Sequence, residues 1–453
     1  MISNLSRDEF VAILHKHVSP TSPIQSQEHL FGRERQLEQV EQALYAPGRS
    51  IFIYGDRGVG KTSLAQTVAY SHQSATHDPV LLACDPHTTF AGLMTSAVER
   101  LREPKPTRST TTYKLTAAYQ GMGIGGERTR QEESIPLMKA EIDLNDFVAA
   151  LLEIGESRRD GSAVIVIDEF DRITDDEERG RFADFIKQIG DQRVPIRFVF
   201  CGVAESMQRL LGTHGSCYRY LDGIELKTLT YDARFEIIDN VATAPGVRVE
   251  DRPRYRIAAI SDGFPHYIHR MCEQLFWQMF RDPRPCETPT ANHYREAVAL
   301  SVASIEQHLK QTYDKAVMKD APGYEQVLWA VADHSDLIRN TERIHASYCQ
   351  IMSSSESHDD VLSRHTVVSR LNALKSPNCG NILATPRKGW YQFRESIMRG
   401  YVRLRAEEQD CELALDYAAA SSANPALTWR PRPARRGRVG TTPRDRQKLE
   451  FPD

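Results

Sequence analysis

The fold of this chain is decided by the stretch Ser50–Thr62, which reads SIFIYGDRGVGKT. Its first five residues form a largely apolar run with the length of a buried strand. The next eight, Gly55–Thr62, match the pattern G-x-x-x-x-G-K-[ST], whose glycines let backbone N–H groups turn inward and wrap a phosphate. A helical pattern begins at Lys61, so the positive end of that helix is expected to face the anion. The stretch therefore predicts a strand, a phosphate-binding loop and a helix.

The side chains of this loop have predicted roles toward a nucleotide. Lys61 is expected to reach the β and γ phosphates, and Thr62 to offer its hydroxyl to Mg²⁺. An ordinary glycine turn in an α/β protein is the alternative, which the strand before and the helix after disfavour. The residues predicted to bind the nucleotide here are Gly55, Asp56, Arg57, Gly58, Val59, Gly60, Lys61, Thr62 and Ser63.

A second apolar run, Ala163–Ile167, leads directly into Asp168 and Glu169. A buried strand that ends on a carboxylate can present it to the water shell of Mg²⁺, and Asp168 is predicted to do so. Glu169 is placed to polarise an attacking water as a general base. The alternative is that the two carboxylates only end the strand in a solvated turn. We predict Lys61, Asp168 and Glu169 as catalytic residues, and Thr62 and Asp168 as the metal-binding pair.

Strands alternate with helices up to Leu226, which predicts a parallel sheet covered by helices on both faces. After Leu229 only amphipathic helical patterns follow, and from Gly323 the order becomes helix, helix, helix, hairpin, which is typical of a winged helix. We therefore expect an α/β P-loop NTPase core with a helical lid and a C-terminal winged-helix domain. The expected divisions are an N-terminal segment at 1–29, the core at 30–228 with a flexible insertion at 104–140, the lid at 229–318, the winged helix at 319–410 and a disordered basic tail at 411–453.

Composition narrows the class of protein. An apolar share of 40% with 26% charged residues and a net charge of -4 is typical of a soluble globular protein. The eight cysteines lack paired C-x-x-C spacing, which argues against a zinc ribbon or a disulfide scaffold. No run approaches the roughly 20 apolar residues that span a bilayer, and the first residues do not resemble a signal peptide. We therefore expect a cytoplasmic protein that does not enter a membrane.

Several motifs together resemble the AAA+ and STAND P-loop ATPases, particularly their origin-recognition-like members. The resemblance covers about Gly32 to Phe280 and implies ATP with Mg²⁺ as the cofactors. It further implies that Phe31, Gly32 and Arg33 lie near the adenine and that Pro265 belongs to the nucleotide site. A plain helix cap is the alternative for the first three. The motifs that carry the resemblance are Gly32-Arg33-Glu34, Gly55–Thr62, Asp168-Glu169, the strand at Arg197–Gly202 and Gly263-Phe264-Pro265.

The chain departs from this family pattern at two places. The fourth strand ends on Cys201-Gly202, where the family usually carries a polar sensor residue, so we expect slow hydrolysis. Pro265-His266 stands where many AAA+ lids carry an arginine, and it is closer to the Gly-x-Pro pattern of STAND switches. Arg219 stands where related ATPases carry an arginine finger for a neighbouring subunit, with a surface salt bridge as the alternative.

Basic residues of the expected winged helix form a candidate DNA-binding surface. Such a layout would place a helix in the major groove and a hairpin tip on the backbone. The alternative is an ordinary solvated helix face. The predicted DNA contacts are Arg364 and Arg370 on the third helix, with His365 and Lys375 beside them, and Arg387 and Lys388 at the hairpin tip.

Three functional hypotheses follow from these residues. The first is an ATP-dependent AAA+/STAND-type switch that hydrolyses ATP to reset itself and acts through its winged helix on a protein partner or on its own assembly into a homo-oligomer. The second is a DNA-associated loader or a transposition- or replication-helper ATPase. The third, a small-molecule kinase or a GTPase, is weaker, because a kinase also needs an acceptor pocket and because the chain has no Asn-Lys-x-Asp guanine-binding motif of a GTPase.

Overall fold

The structure, a computed structural model, describes residues 2–20, 22–46, 48–73, 77–102, 143–158, 163–213, 215–318, 322–354 and 361–413. The predicted insertion at 104–140 and almost all of the predicted tail at 411–453 lie outside these residues. The chain divides into two compact units. The phosphate-loop unit contains Met1–Val40, Ile53–Val68 and Ile224–Asp453, and the sheet unit contains Glu41–Phe52 and Ala69–Gly223.

A five-stranded parallel sheet forms the centre of the α/β region, as the sequence predicts, in the order β2-β3-β4-β1-β5. Within the sheet unit, Ile165 of β3 pairs with Val80 of β2 and with Phe198 of β4. All residues of β3 except its last are buried, which explains their continuous apolar character. The strands are β1 at Ser50–Gly55, β2 at Val80–Ala83, β3 at Ala163–Asp168, β4 at Ile196–Gly202 and β5 at Leu221–Leu226.

Helices flank this sheet, and aromatic side chains fill the core of the sheet unit. Phe170, directly after the Asp168-Glu169 pair, is fully buried and lies edge-on to Phe182 with ring centroids 5.2 Å apart. This packing holds the end of β3 in place. Helix α1 at Arg7–His17 packs on the helical region after β5, where the ring of Phe10 stacks on that of Phe280 with centroids 4.3 Å apart. The other helices are α2 at Glu34–Tyr45, α3 at Lys61–His72, α4 at Phe90–Arg102, α5 at Leu144–Ser157, α6 at Asp176–Asp191 and α7 at Ala204–Thr213.

A wholly helical region follows β5, in agreement with the predicted lid. Thr230 caps its first helix through a hydrogen bond from the N–H of Ala233. Pro265 stands in the first turn of α10, where its fixed φ suits a helix start and its missing N–H costs nothing. The helices are α8 at Tyr231–Thr243, α9 at Asp251–Ile260, α10 at Pro265–Arg281, α11 at Ala291–Ala303 and α12 at Gln307–Val317.

The last region is a winged helix, with a three-stranded antiparallel sheet in the order β6-β8-β7. The expected helices and hairpin are present. The short strand β6 and the final helix α16 were not predicted from the sequence. The elements are α13 at Tyr324–Ala332, β6 at Arg339–Asn340, α14 at Thr341–Ser354, α15 at Arg364–Ala373, β7 at Leu383–Arg387, β8 at Trp390–Phe393 and α16 at Ile397–Glu408.

The helices of the described ranges are short or amphipathic. None of them combines the length and the apolar composition that a membrane crossing requires. The domain boundaries expected from the sequence stay predictions.

Candidate functional site

The phosphate loop joins β1 to α3 with a backbone that suits glycine. Gly58 and Gly60 have φ values of +84° and +99°, which side-chain-bearing residues rarely adopt. Apart from Gly60 itself and its two chain neighbours, no described atom lies within 4 Å of the position that a Cβ would take at Gly60. Glycine is therefore required at this position by the backbone conformation, while the space beside it stays open for a ligand.

Lys61 is the first residue of α3 and folds back on the loop that precedes it. Its Nζ donates hydrogen bonds to the carbonyl oxygens of Gly55, at 3.1 Å, and of Asp56, at 2.9 Å. Ser63, in the first turn of the same helix, accepts a 3.2 Å hydrogen bond from the N–H of Ile24 in the N-terminal segment. The ammonium group thus lies among loop carbonyls, whose place phosphate oxygens could take.

The Gly32-Arg33-Glu34 segment lies behind the phosphate loop. Arg33 is buried, with 5% of its surface exposed, and its Nη2 donates to the carbonyl oxygens of Val59 at 2.8 Å and Lys227 at 2.7 Å. Burial lowers the pKa of this guanidinium to about 10. A Cβ at Gly32 would come within 2.3 Å of the Cβ of Ala233, so α8 packs directly on this glycine. The predicted base-side role of Phe31, Gly32 and Arg33 stays a prediction.

Asp168 and Glu169 belong to the sheet unit; Asp168 is the last residue of β3, and Glu169 follows it. The Oδ1 of Asp168 accepts a 2.8 Å hydrogen bond from the N–H of Glu169. Glu169 has a left-handed φ of +54° and an exposed side chain, whose Oε2 accepts a 3.0 Å hydrogen bond from Nη1 of Arg172. The sequence analysis did not identify this ion pair, for which the three-residue spacing was the available signal. The predicted catalytic roles stay predictions.

Cys84 lies beside the end of β3, where its N–H donates a 2.9 Å hydrogen bond to the carbonyl oxygen of Asp168. Burial, together with the negative charge of Asp168, raises the pKa of the Cys84 thiol to about 12. The thiol is therefore protonated at neutral pH and is a poor nucleophile.

The positions predicted for the sensor and the arginine finger also lie in the sheet unit. Strand β4 ends at Cys201-Gly202, and a Cβ at Gly202 would come within 3.1 Å of the ring of Phe52. The close ring leaves little room for a polar sensor side chain at this position. Arg219 is exposed and ends a short 3-10 turn two residues before the start of β5 at Leu221. Slow hydrolysis and the finger role stay predictions.

The turn Ser261–Pro265, which we call the lid turn, joins α9 to α10 in the phosphate-loop unit. Asp262 and Gly263 have φ values of +54° and +78°, and a Cβ at Gly263 would come within 2.6 Å of the carbonyl oxygen of Leu229. The turn is thus tightly packed. It carries buried Phe264 toward the phosphate loop, and Pro265 then starts α10.

The lid turn and helix α16 both reach the phosphate loop at Gly58. A Cβ at this glycine would come within 2.9 Å of Cδ1 of Ile397 and 3.4 Å of Cδ1 of Phe264. Ile397 is the first residue of α16, so the last helix of the winged-helix region lies against the loop. The sequence analysis did not foresee this contact, because it joins residues that are far apart along the chain.

A buried ion cluster ties α16 to the lid turn. The carboxylate of Asp262, only 3% exposed, accepts two 2.5 Å hydrogen bonds from Arg399 and one of 2.8 Å from Arg403. Burial alone would raise the pKa of Asp262, but the charges of Arg403 and Arg399 and the hydrogen bonds from Arg399 outweigh it and lower the pKa. Asp262 is therefore ionised at neutral pH. We call Asp262, Arg399 and Arg403 the lid latch.

Two further contacts hold α16 on the lid. The hydroxyl of Tyr267 donates a 3.0 Å hydrogen bond to the carbonyl oxygen of Ile397, and a Cβ at Gly400 would come within 2.6 Å of the Tyr267 ring. Near the other end of α16, Glu407 accepts hydrogen bonds from Arg256 and, at 2.9 Å, from the hydroxyl of Tyr294. The first and last turns of α16 are thus fastened separately.

A cavity of about 260 Å³ adjoins this contact region within the phosphate-loop unit. Asp56 of the phosphate loop contributes to its wall, and the other walls come from the winged-helix region. Its size suits a small polar group better than a whole nucleotide. The lining residues are Asp56, Leu337, Ile338, Gln392, Phe393, Arg394, Ser396 and Arg399.

Four of the residues on the predicted DNA-binding surface, Arg364, Arg370, Arg387 and Lys388, differ in exposure. Arg364 at the start of α15 is exposed, as are Arg387 and Lys388 in the β7–β8 hairpin. The guanidinium of Arg387 lies 3.8 Å from the centre of the Trp390 ring. Arg370 is half-buried, with its guanidinium over the ring of Tyr324 at 4.6 Å. Three of the four side chains are therefore exposed to solvent, whereas Arg370 packs on Tyr324 inside the winged-helix region.

Residues 29–199 match a family model described as "AAA ATPase domain". This range includes the phosphate loop and the Asp168-Glu169 pair. None of the curated proteins is similar enough in sequence to count as a match.

Among solved structures, the chain resembles a Walker-type ATPase of Pyrococcus abyssi, with 14% identity, a TM-score of 0.48, and coverage of 84% of this chain and 98% of that one. It also resembles the ORC2 protein of Aeropyrum pernix, with 11% identity, a TM-score of 0.47 and coverage of 88% and 97%. A third is Cdc6p of Pyrobaculum aerophilum, with 14% identity, a TM-score of 0.41 and coverage of 88% and 98%. All three are distant resemblances.

Proposed function

We propose, from the premise that residues 29–199 form an AAA ATPase domain, that this chain is an ATP-dependent switch whose winged helix responds to the bound nucleotide. The observation that carries the proposal is the contact of Gly58 with Ile397 of α16 and with Phe264 of the lid turn. A nucleotide whose phosphates rest on the loop would act at the place where the winged helix touches it.

The loop residues have matching roles in nucleotide binding. Lys61 would exchange its hydrogen bonds to the Gly55 and Asp56 carbonyls for hydrogen bonds to phosphate oxygens. The Thr62 hydroxyl and the Asp168 carboxylate offer the oxygen ligands that Mg²⁺ prefers. When bound, Mg²⁺ would neutralise charge on the β and γ phosphates. The chemistry of these residue types supports ATP with Mg²⁺ as the proposed cofactor.

Glu169 would reset the switch by orienting the water that attacks the γ phosphate. Oε2 of its carboxylate is paired with Arg172, which leaves Oε1 to accept a proton from that water. Strand β4 ends on Cys201-Gly202, so no Asn, Ser or Thr side chain stands there to help hold the water. We infer that hydrolysis is slow, as suits a switch that must stay in one state long enough to act.

The winged helix would pass the nucleotide state to a partner. Packed interiors respond to small shifts by moving as units, because they do not deform continuously. A shift at Gly58 would move Ile397, and the lid latch and Tyr267 would carry that movement into the whole of α16. The output would be a change in a protein partner or in the assembly of the chain with its own copies.

Hydrogen exchange of the Glu169→Gln variant tests this proposal. The glutamine side chain keeps the shape of the glutamate carboxylate but cannot accept the proton of the attacking water. Mg²⁺-ATP should therefore stay bound and unhydrolysed. We expect the amides of α16 and of the β7–β8 hairpin to exchange at different rates with Mg²⁺-ATP and with Mg²⁺-ADP. The same comparison with Lys61→Ala should show no difference. Equal exchange of the Glu169→Gln protein with both nucleotides at saturation would refute the switch.

A DNA-associated ATPase is the second candidate, favoured by the exposure of Arg364, Arg387 and Lys388 on the winged helix. The double change of Arg387 and Lys388 to Ala should weaken binding to duplex DNA at low salt. The log–log salt slope should fall by about 0.9 for each DNA phosphate that the variant no longer neutralises. A charge-matched control changes exposed Arg35 and Lys187 to Ala. Equal weakening in both variants, or no DNA binding by the intact protein, would exclude this candidate.

A further inference from the structure

Arg33 makes contacts that its predicted position beside the adenine does not explain. One nitrogen, Nη2, donates both to the Val59 carbonyl in the phosphate loop and to the Lys227 carbonyl directly after β5. All three residues belong to the phosphate-loop unit. Because this buried guanidinium donates to two backbone oxygens, it fixes the positions of the two segments that carry them.

The hydrogen bond to Val59 has a direct consequence for Gly60. A trans peptide is planar, so the Val59 carbonyl and the Gly60 N–H point in opposite directions. Holding the oxygen toward Arg33 turns the N–H toward the other side of the loop. On the Gly60 side, no described atom apart from the chain neighbours lies within 4 Å of a Cβ position. The hydrogen bond from Arg33 therefore orients this peptide together with the buried side chain of Val59 and the bond from the Leu64 N–H to the Gly60 carbonyl.

The second hydrogen bond extends this restraint to the lid. Lys227 stands between the end of β5 at Leu226 and Thr230, the residue that caps α8. Gly32, next to Arg33, packs on Ala233 in the first turn of α8. The same short segment therefore holds the phosphate loop and the start of the lid.

We propose that Arg33 is a positioning residue of the phosphate site, which aims the Gly60 N–H at the bound phosphate and keeps the loop in register with the start of the lid. Burial lowers the pKa of the guanidinium only to about 10, so it remains charged at neutral pH. It therefore also places a buried positive charge behind the loop, which attracts the phosphates of the ligand. This inference rests on nucleotide binding by the loop and does not depend on the switch.

The affinity for a ligand without a base distinguishes a role of Arg33 at the phosphates from a role beside the adenine. Binding of Mg²⁺-ATP, Mg²⁺-GTP and Mg²⁺-tripolyphosphate, which has no base, would be measured for the intact chain and for Arg33→Ala. We expect Arg33→Ala to lose about tenfold to a hundredfold in affinity for all three, as for a lost hydrogen bond to a charged group. The ratio of ATP to GTP affinity should stay the same. Arg33→Lys keeps the charge without the planar guanidinium and should lose less.

The matched control is Arg35→Ala, which removes an exposed arginine two residues further along the chain and should bind all three ligands normally. An Arg33→Ala protein with normal tripolyphosphate affinity but an altered ATP to GTP ratio would show that Arg33 acts on the base. Normal affinity for all three with a lowered melting temperature would show a purely structural role. Either result overturns the proposal, and if Arg33→Ala does not fold, Arg33→Lys decides between them.

Discussion

The phosphate loop and the lid turn have a similar backbone conformation, at Gly58 and Gly60 in the loop and at Asp262 and Gly263 in the turn, but it serves different ends. Both contain residues with left-handed φ values. In the loop, the space beside Gly60 is open among the described residues. In the lid turn, Gly263 is closely surrounded, and the carboxylate of Asp262 is satisfied by arginines of α16.

This difference separates a turn that is prepared for a ligand from a turn that the protein fills itself. The phosphate loop presents backbone groups and one cation to a space that a phosphate can occupy. The lid turn holds its charge in a buried cluster that only the folded winged helix completes. We therefore expect changes in the loop to alter nucleotide binding, and changes in the lid turn to alter stability.

The largest effect is expected at the lid latch. Asp262→Asn should lower the free energy of unfolding by about 3–5 kcal/mol, because it leaves the buried charges of Arg399 and Arg403 uncompensated. Urea denaturation at neutral pH measures this loss. The control is Asp336→Asn, which breaks the exposed 3.1 Å ion pair with Arg343 and should cost less than about 1 kcal/mol. Similar small losses in both variants would mean that the latch does not stabilise the lid.

The opposite pattern is expected at the phosphate loop. Lys61→Ala should lower ATP affinity by about a hundredfold or more, roughly 3 kcal/mol, because it removes a cation that would make two charge-assisted hydrogen bonds. Unfolding should change by no more than about 1 kcal/mol, as is usual for a partly exposed side chain. Titration calorimetry and urea denaturation measure the two quantities, with exposed Lys187→Ala as the control. Unchanged ATP affinity would contradict the site assignment.

A smaller, pH-dependent effect is expected in α10, which begins at the lid turn. Burial lowers the pKa of His269 to about 4, with the nearby His266 and His29 contributing. The unfolded chain takes up this proton below about pH 6.5 while the folded chain does not, so stability falls as the pH drops from about 6.5 to 4. The expected loss is about 2 kcal/mol between pH 7.5 and 5.

Denaturation at these two pH values, for the intact chain and for His269→Gln, checks this effect. Glutamine keeps an acceptor for the N–H of Ser19, which donates to the histidine Nδ1 at 3.5 Å, but it does not titrate. The variant should therefore lose less stability on acidification. An equal loss in both proteins would assign the pH dependence to other groups, such as His266, whose pKa burial also lowers.

Local patterns in the sequence predicted the parallel sheet, the helical lid region and the winged helix, together with the residue range of the phosphate loop. These features depend on residues within a few positions of one another: an apolar run, a glycine spacing, a helical period. The same locality explains the omission of α16. Its arginines at 399, 403 and 405 make it look like a solvated helix, although Arg399 and Arg403 are buried.

The sequence by itself determined that this chain folds a glycine-rich phosphate loop between a buried strand and a helix, and that a carboxylate pair ends another buried strand. Only the tertiary structure decided what Arg33, Asp262 and Ile397 do. Asp262 meets its partners Arg399 and Arg403 across 137 and 141 residues of chain. Whether an arginine is solvated or buried on a carboxylate depends on which distant segment packs beside it. No local sequence pattern predicts whether Arg399 and Arg403 are buried, because their burial follows from the packing of α16 against the lid.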